Sequence, residues 1–343
     1  MSSNISIPGR PVETAKAYGT PVTACREGKL AYLPVALFGS VMGLTGISSA
    51  WKLANVMYGS PSWVAQIFGG IAIFVFVLMS TGYAIKAATG FSAVRAEFQH
   101  PIAGNLFGTI FISLLLIPIP ISDYSLTLAT TIWITGTVGM VLFAWIIISR
   151  LISRRQQAGH ATPAWFLPVV GLINIPLAAP TLGIEGQEEL LFFSIGVGLF
   201  FAIPLFTLIF SRLMFEEPLV ASLQPSLMIV VAPFAVGFSA YVNVIGEIDR
   251  FASALYILAM FLLSIMVARL RFLALSCPFR LSWWSVSFPL AAATVCSLRY
   301  AQHTPNYLTH AVALLLLTSV TLILLAMFIK TIANIGNLRL LLS

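Results

Sequence analysis

The chain has 343 residues, of which 59% are hydrophobic and 8% charged, with a formal net charge of +7. An ordinary soluble domain carries about a quarter of charged residues, so that class is excluded and a polytopic membrane protein is implied. Three cysteines, Cys25, Cys277 and Cys296, stand too far apart for a metal set or a disulfide framework.

Residues 1–30 are polar and basic and show no apolar core of a cleavable signal. They read as a cytoplasmic tail, 31–331 as one membrane domain and 332–343 as a second short tail. Ten apolar segments follow in order: 31–56, 62–88, 101–122, 125–149, 163–183, 190–211, 225–245, 251–269, 281–301 and 307–331. Each is near the roughly 20 residues that a spanning helix needs. If residue 1 starts in the cytoplasm, fifteen of the eighteen Lys and Arg residues fall on the inner side, leaving Lys52, Arg250 and Arg299 outside. That bias predicts an inner-membrane protein with both termini in the cytoplasm. It also accounts for the surplus of base without nucleic acid.

The odd segments share an opening. Pro34, Pro101, Pro163, Pro225 and Pro278 each lie at or just before a start, at spacings of 67, 62, 62 and 53 residues. Proline suits a first helical turn. Its recurrence every two segments predicts five repeated helical hairpins. Deeper prolines are divided unevenly: Pro118, Pro120, Pro168, Pro176, Pro233 and Pro289 fall in odd segments, and Pro204 in an even one. The eighth and tenth segments are nearly unbroken aliphatic runs suited to lipid. An inner ring of kinked odd helices and an outer ring of straight even helices is expected, around a central pore.

Candidate pore residues follow from polar and broken stretches. Asn105, Thr109 and Ser113 stand four apart and form one row on a helix face. Gly39 begins a glycine face in the first segment, and Asn174 stands in the fifth; small residues of this kind also serve tight helix packing. In the ninth segment, Ser285, Ser287, Phe288 and Pro289 stand together. Pro289 removes the partner of the Ser285 carbonyl and disfavours helical dihedrals at Phe288. A broken backbone at this depth must be covered by protein or reached by water. A constriction at Phe288 is expected.

No Asp, Glu, Lys or Arg stands clearly mid-segment, whereas ion-coupled carriers place such groups in the membrane. No metal set, phosphate loop or nucleophile with its base is visible, so neither catalysis nor a cofactor is expected. An uncharged conduit for a small solute or ion fits these features.

Several stretches resemble the bacterial TehA proteins, the tellurite-resistance/dicarboxylate transporter family related to plant guard-cell slow anion channels and fungal malate permeases. They are Leu37-Phe38-Gly39, Arg95-Ala96-Glu97-Phe98-Gln99-His100-Pro101, Pro163-Ala164-Trp165 with Pro168 and Gly171, Pro225 through Pro233 to Tyr241, Gly246-Glu247-Ile248-Asp249, and Trp283-Trp284 to Phe288-Pro289. The likeness covers about residues 30–331. It implies five hairpins around a pore, odd helices inside, a homotrimer with one pore per subunit, and an occluding phenylalanine at Phe288. Two stretches depart from the family pattern: Pro233-Phe234 replaces a pair of prolines common in the seventh segment, and Ala202 precedes Ile203-Pro204 where relatives can carry an acidic residue. Phe234 is thereby a second aromatic near the expected wall. The expected function is passive flux of small inorganic anions in contact with membrane lipids. The alternatives are a proton-coupled C4-dicarboxylate carrier or tellurite-resistance exporter, and a non-conducting sensor or scaffold.

Overall fold

The computed structural model describes residues 30, 32–276 and 279–334, with the backbone alone over 270–276. The N-terminal tail, Pro278 and residues 335–343 lie outside the described residues. Within them the chain is helical, without strands, and nine helices are long and apolar enough to cross a membrane. The protein is an all-helical polytopic membrane protein.

Ten long helices are numbered here in chain order. They are α1 (Phe38–Tyr58), α2 (Ser62–Thr89), α3 (Ala103–Ile121), α4 (Leu126–Ser153), α5 (Pro163–Leu182), α6 (Glu188–Phe215), α7 (Gln224–Ile245), α8 (Arg250–Ser276), α9 (Leu281–His303) and α10 (Tyr307–Ala333). α1 is the one not among the nine. It is 21 residues long, but three glycines, three serines, Lys52 and Asn55 dilute its apolarity. That composition suits a helix that faces protein rather than lipid, and α1 buries twelve of its residues.

The division between odd and even helices is physical. In their apolar cores α3, α5, α7 and α9 are 67%, 83%, 72% and 78% buried, against 17–39% for the even helices. α1, α3, α5, α7 and α9 pack side by side in a closed ring, α9 returning against α1. Each even helix lies outside, against its own odd partner and the next odd helix.

All five odd helices begin with a tight 3₁₀ stretch and then widen into an α-helix: Val35–Leu37 before α1, Ala103–Phe107 in α3, Pro163–Trp165 in α5, Gln224–Val231 in α7 and Leu281–Val286 in α9. The even helices are unbroken runs of 27 or 28 residues. The deep prolines sit where α-helix restarts. Pro118 opens Pro118–Ile121, Pro176 is second in Ile175–Leu182, Pro233 second in Ala232–Ile245 and Pro289 third in Ser287–His303. At Pro176, Pro233 and Pro289 bonding changes from three residues back to four, so the carbonyl that proline fails to reach can be met by the N–H of the residue before it, and the loss is smaller than in a helix interior.

This corrects one expectation. Phe288 is not displaced from helical geometry; it is the second residue of the α-helical part of α9. Ile117, Ile175 and Ala232, each before a proline, are likewise in the right-handed helical region. An extended residue at this depth would strand backbone groups away from water, which outweighs the local preference.

Between α2 and α3 a short helix, Phe91–Gln99, places Glu97 at the start of the ring. Its carboxylate accepts from the Val35 N–H at 2.9 Å and the Tyr83 hydroxyl at 3.1 Å, and pairs with Lys86 at 2.6 Å. One carboxylate thus caps the first 3₁₀ turn and neutralises a buried lysine. His100, next in the chain, accepts at Nδ1 from the N–H groups of Ile102 and Ala103. At the opposite end Asp249 accepts from the Ala252 N–H and the Tyr241 hydroxyl, each at 2.8 Å, and starts α8. The backbone bond first, and then the hydroxyl, hold its carboxyl below the usual carboxylate range.

Candidate functional site

Two cavities lie end to end inside the ring. The proximal one, about 120 Å³, is lined by the first halves of the odd helices and the stretches leading into them. The distal one, about 170 Å³, is lined by their second halves. No even helix contributes to either wall. Phe288 and Val236 belong to both walls.

Helical spacing builds the α9 wall. Ser285 faces the proximal cavity, Phe288 both, and Ala292, Val295 and Arg299 the distal one. These positions recur at three or four residues and form one stripe. Pro289 also reaches the proximal cavity, and Val236 faces the stripe from α7.

Of the residues singled out in the sequence, Gly39, Thr109, Asn174, Pro233, Ser285, Phe288 and Pro289 line the proximal cavity. Asn105, Ser113, Pro168, Phe234 and Ser287 stand on neither wall. Asn105 donates to the Pro101 carbonyl at 2.8 Å. Ser113 donates to the Phe38 carbonyl of α1 at 3.1 Å and to the Thr109 carbonyl at 2.7 Å. Thr109, besides its place on the wall, reaches the Val35 carbonyl at 3.2 Å. Thr109 and Ser113 therefore tie α3 to the start of α1 and to the turn before it, while Asn105 bonds back within its own segment. Ser287 does the same between α9 and α1, and Phe234 packs edge-on against Phe206 of α6 at 5.8 Å. Phe166, Met42 and Leu223 join the proximal wall without any sequence signal beyond being apolar.

The proximal wall is mostly apolar and carries no charged side chain. Its polar points include Thr162 Oγ1, Asn174 Oδ1 and Ser282 Oγ, all buried without a hydrogen-bond partner. The hydroxyls among them are free to donate to whatever enters. The distal wall differs, because it holds Lys52 and Arg299. Lys52 pairs with Asp123 at 2.6 Å. Arg299 donates only to neutral oxygens, the Ser239 carbonyl at 3.2 Å and Asn243 Oδ1 at 2.5 Å, so its charge has no carboxylate partner among the described residues. Ser239 Oγ, unpartnered, lies on the same wall. The expectation of a conduit without a fixed cation thus fails at this end. Arg299 counts as an end-of-segment residue in sequence, yet α9 continues to His303 and keeps its side chain inside the ring.

Residues 32–332 match the SLAC1 family, described as voltage-dependent anion channels. The S-type anion channel SLAH3 of Arabidopsis thaliana is 27% identical over 319 residues, which cover 89% of this chain and 49% of that protein. The guard cell S-type anion channel SLAC1 of the same plant is 26% identical over 316 residues, 88% of this chain and 55% of that one. A tellurite resistance protein TehA homolog of Haemophilus influenzae is 29% identical over 233 residues, 65% of this chain and 68% of that one. The chain spans about half the length of SLAH3 and of SLAC1. With a ring of five odd helices around an axial pair of cavities, and a match that covers nearly all the described residues, the chain belongs to the SLAC1 family of voltage-dependent anion channels.

Proposed function

We propose that this protein conducts small inorganic anions passively along the axis of the inner ring, and that Phe288 closes the path between the two cavities. The observation that carries this is the pair of cavities walled only by odd helices, with Phe288 and Val236 common to both. An aromatic ring at that point blocks a hydrated ion by bulk and by its apolar surface. The uncompensated Arg299 supports the choice of sign. At an effective dielectric of about 20, one charge about 4 Å from another is worth roughly 4 kcal/mol, enough to concentrate hydrated anions at the distal mouth. Past Phe288 the apolar wall replaces little of a hydration shell, so anions that lose water easily pass best.

In this reading α1 crosses the membrane with the other nine helices, and the domain occupies 31–331 between two cytoplasmic tails. The basic proximal face, with Lys86, Arg95, Arg150, Arg154 and Arg155, lies in the cytoplasm of an inner-membrane protein. The homotrimer follows from the family resemblance and leaves one path in each subunit.

Purified protein in liposomes, assayed for chloride and nitrate flux with and without a pH gradient, tests the reading. Flux down the anion gradient, indifferent to pH difference, is expected. Accumulation driven by a pH gradient would favour a proton-coupled dicarboxylate carrier instead, and no flux at all a sensor or scaffold.

A further inference from the structure

A third cavity, of about 390 Å³, lies on the outer side of the ring at the proximal face, between the end of α4, the following turn, Trp165 at the start of α5 and the last turns of α6. It shares no lining residue with the two axial cavities. Arg212 of α6 lines it and is 4% exposed. Its Nε and Nη1 are buried and have no hydrogen-bond acceptor among the described residues. Glu216, four residues on, also lines the cavity, but it is exposed and its carboxylate forms no ion pair with Arg212.

The ordinary roles of such an arginine do not apply. An arginine near a helix C-terminus commonly donates to the last carbonyls, but this guanidinium donates to none of the described residues. A buried cation without a partner is unfavourable, and its fork of donors is built to take an oxyanion from two sides.

We propose that Arg212 binds the phosphate of an anionic phospholipid. Two features point to a lipid rather than a soluble anion. α6 has 28 residues and is about 42 Å long, longer than the roughly 30 Å hydrocarbon core, so a residue in its last turn lies near the headgroups. The cavity also opens beside Leu208 and Phe215, which are 52% and 79% exposed and offer a shelf to an acyl chain. Gln156, Gln157 and Ser211 add polar groups around the phosphate position.

The test is lipid retention by the whole protein, read by native mass spectrometry in mixed micelles of phosphatidylglycerol and phosphatidylcholine with the same chains. Both lipids offer a phosphate to Arg212, but only phosphatidylcholine sets a choline cation against it, so wild type is expected to retain phosphatidylglycerol roughly tenfold in preference, equivalent to about 1.4 kcal/mol of that repulsion. Arg212→Gln loses that preference and Arg212→Lys keeps part of it. Arg154→Gln, which removes an exposed arginine nearby, leaves it unchanged. A wild type without preference overturns the proposal whether or not any variant folds. Displacement of the lipid by millimolar inorganic phosphate would assign the cavity to a soluble oxyanion, and loss of oligomer mass in Arg212→Gln would assign it to a subunit contact; either result overturns the lipid assignment. Anion flux is not the readout, so failure here leaves the conduit reading untouched.

Discussion

Ser287 occupies the space that a Cβ on Gly43 would fill, and its hydroxyl donates to the Gly39 carbonyl at 3.2 Å. This is where α9 closes the ring against α1. One turn further, a Cβ on Gly46 would stand 2.8 Å from that of Ala291. Ring closure therefore depends on two glycines of α1 meeting two small residues of α9. Gly43→Ala is expected to cost about 1–3 kcal/mol by overpacking. Gly70→Ala on α2, where nothing lies within 4 Å of the added carbon, is expected to be neutral or to stabilise by up to about 1 kcal/mol. Melting curves in one detergent compare the two, and equal effects would remove the closure argument.

Lys86 and Glu97 form a buried pair in which the lysine side chain is 4% exposed. Glu97→Gln leaves an ammonium without its counter-charge and is expected to destabilise by about 3–5 kcal/mol. The double variant Lys86→Met, Glu97→Gln should recover much of that loss. A double-mutant cycle on chemical or thermal unfolding measures the coupling, and additive effects would contradict it.

His100 lies outside the membrane-spanning helices and accepts two backbone N–H groups at Nδ1, which only an unprotonated Nδ1 can do. Burial first, and then the charge of His160, lower its pKa from the ordinary 6.5, while Glu97 opposes them. The folded state therefore binds this proton less readily than the unfolded state. Its stabilising contribution is present above pH 6.5 and is lost as pH falls through the lowered value. Stability measured from pH 7.5 to 5 should fall for wild type and fall less for His100→Gln. A steeper fall in the variant would reverse the assigned sign.

The inner and outer rings were legible because lipid and protein make different demands on a helix. Even helices must be apolar all round, and their aliphatic runs show it. Odd helices face neighbours and the axial cavities, so they tolerate Pro, Gly and Ser, and the recurring Pro34, Pro101, Pro163 and Pro225 register that. Which polar residue meets the proximal cavity was not legible. Thr109 lines it while Ser113, one α-helical turn on, bonds the Phe38 carbonyl, because the row runs along the border between the cavity face and the face packed on α1, and a spacing of four does not say on which side each residue falls. Arg299 was missed for a different reason: sequence gives its depth near the end of a segment, but not that its side chain turns inward to Asn243.

Arg299→Gln tests the attraction at the distal mouth. Removing the charge while keeping a donor should raise the anion concentration needed for half-maximal flux by roughly tenfold, equivalent to about 1.4 kcal/mol, well below the full Coulomb figure because water screens part of it. Maximal flux should change less. An unchanged concentration dependence would show that permeating anions do not meet this residue.

Phe288 offers the strongest test of the conduit. It is 8% exposed, stands on the walls of both cavities, and has Ser285 one turn before it and Ala292 one turn after it on the same stripe. Replacing it with Ala joins two cavities that already exist, of about 120 and 170 Å³, and removes the largest apolar surface between them. Anion conductance is expected to rise strongly in Phe288→Ala, and less in Phe288→Leu, which keeps more bulk. Phe234 serves as the control, because it packs on Phe206 and lies on neither wall. Phe234→Ala should cost about 3–5 kcal/mol of stability, as for a packed aromatic, without raising conductance. The measurement is single-channel current or liposome flux on correctly assembled protein, with a melting curve for each variant. If Phe288→Ala instead loses stability and conducts no better than wild type, Phe288 is a packing residue, and the barrier between the cavities rests on Val236 and the backbone around it.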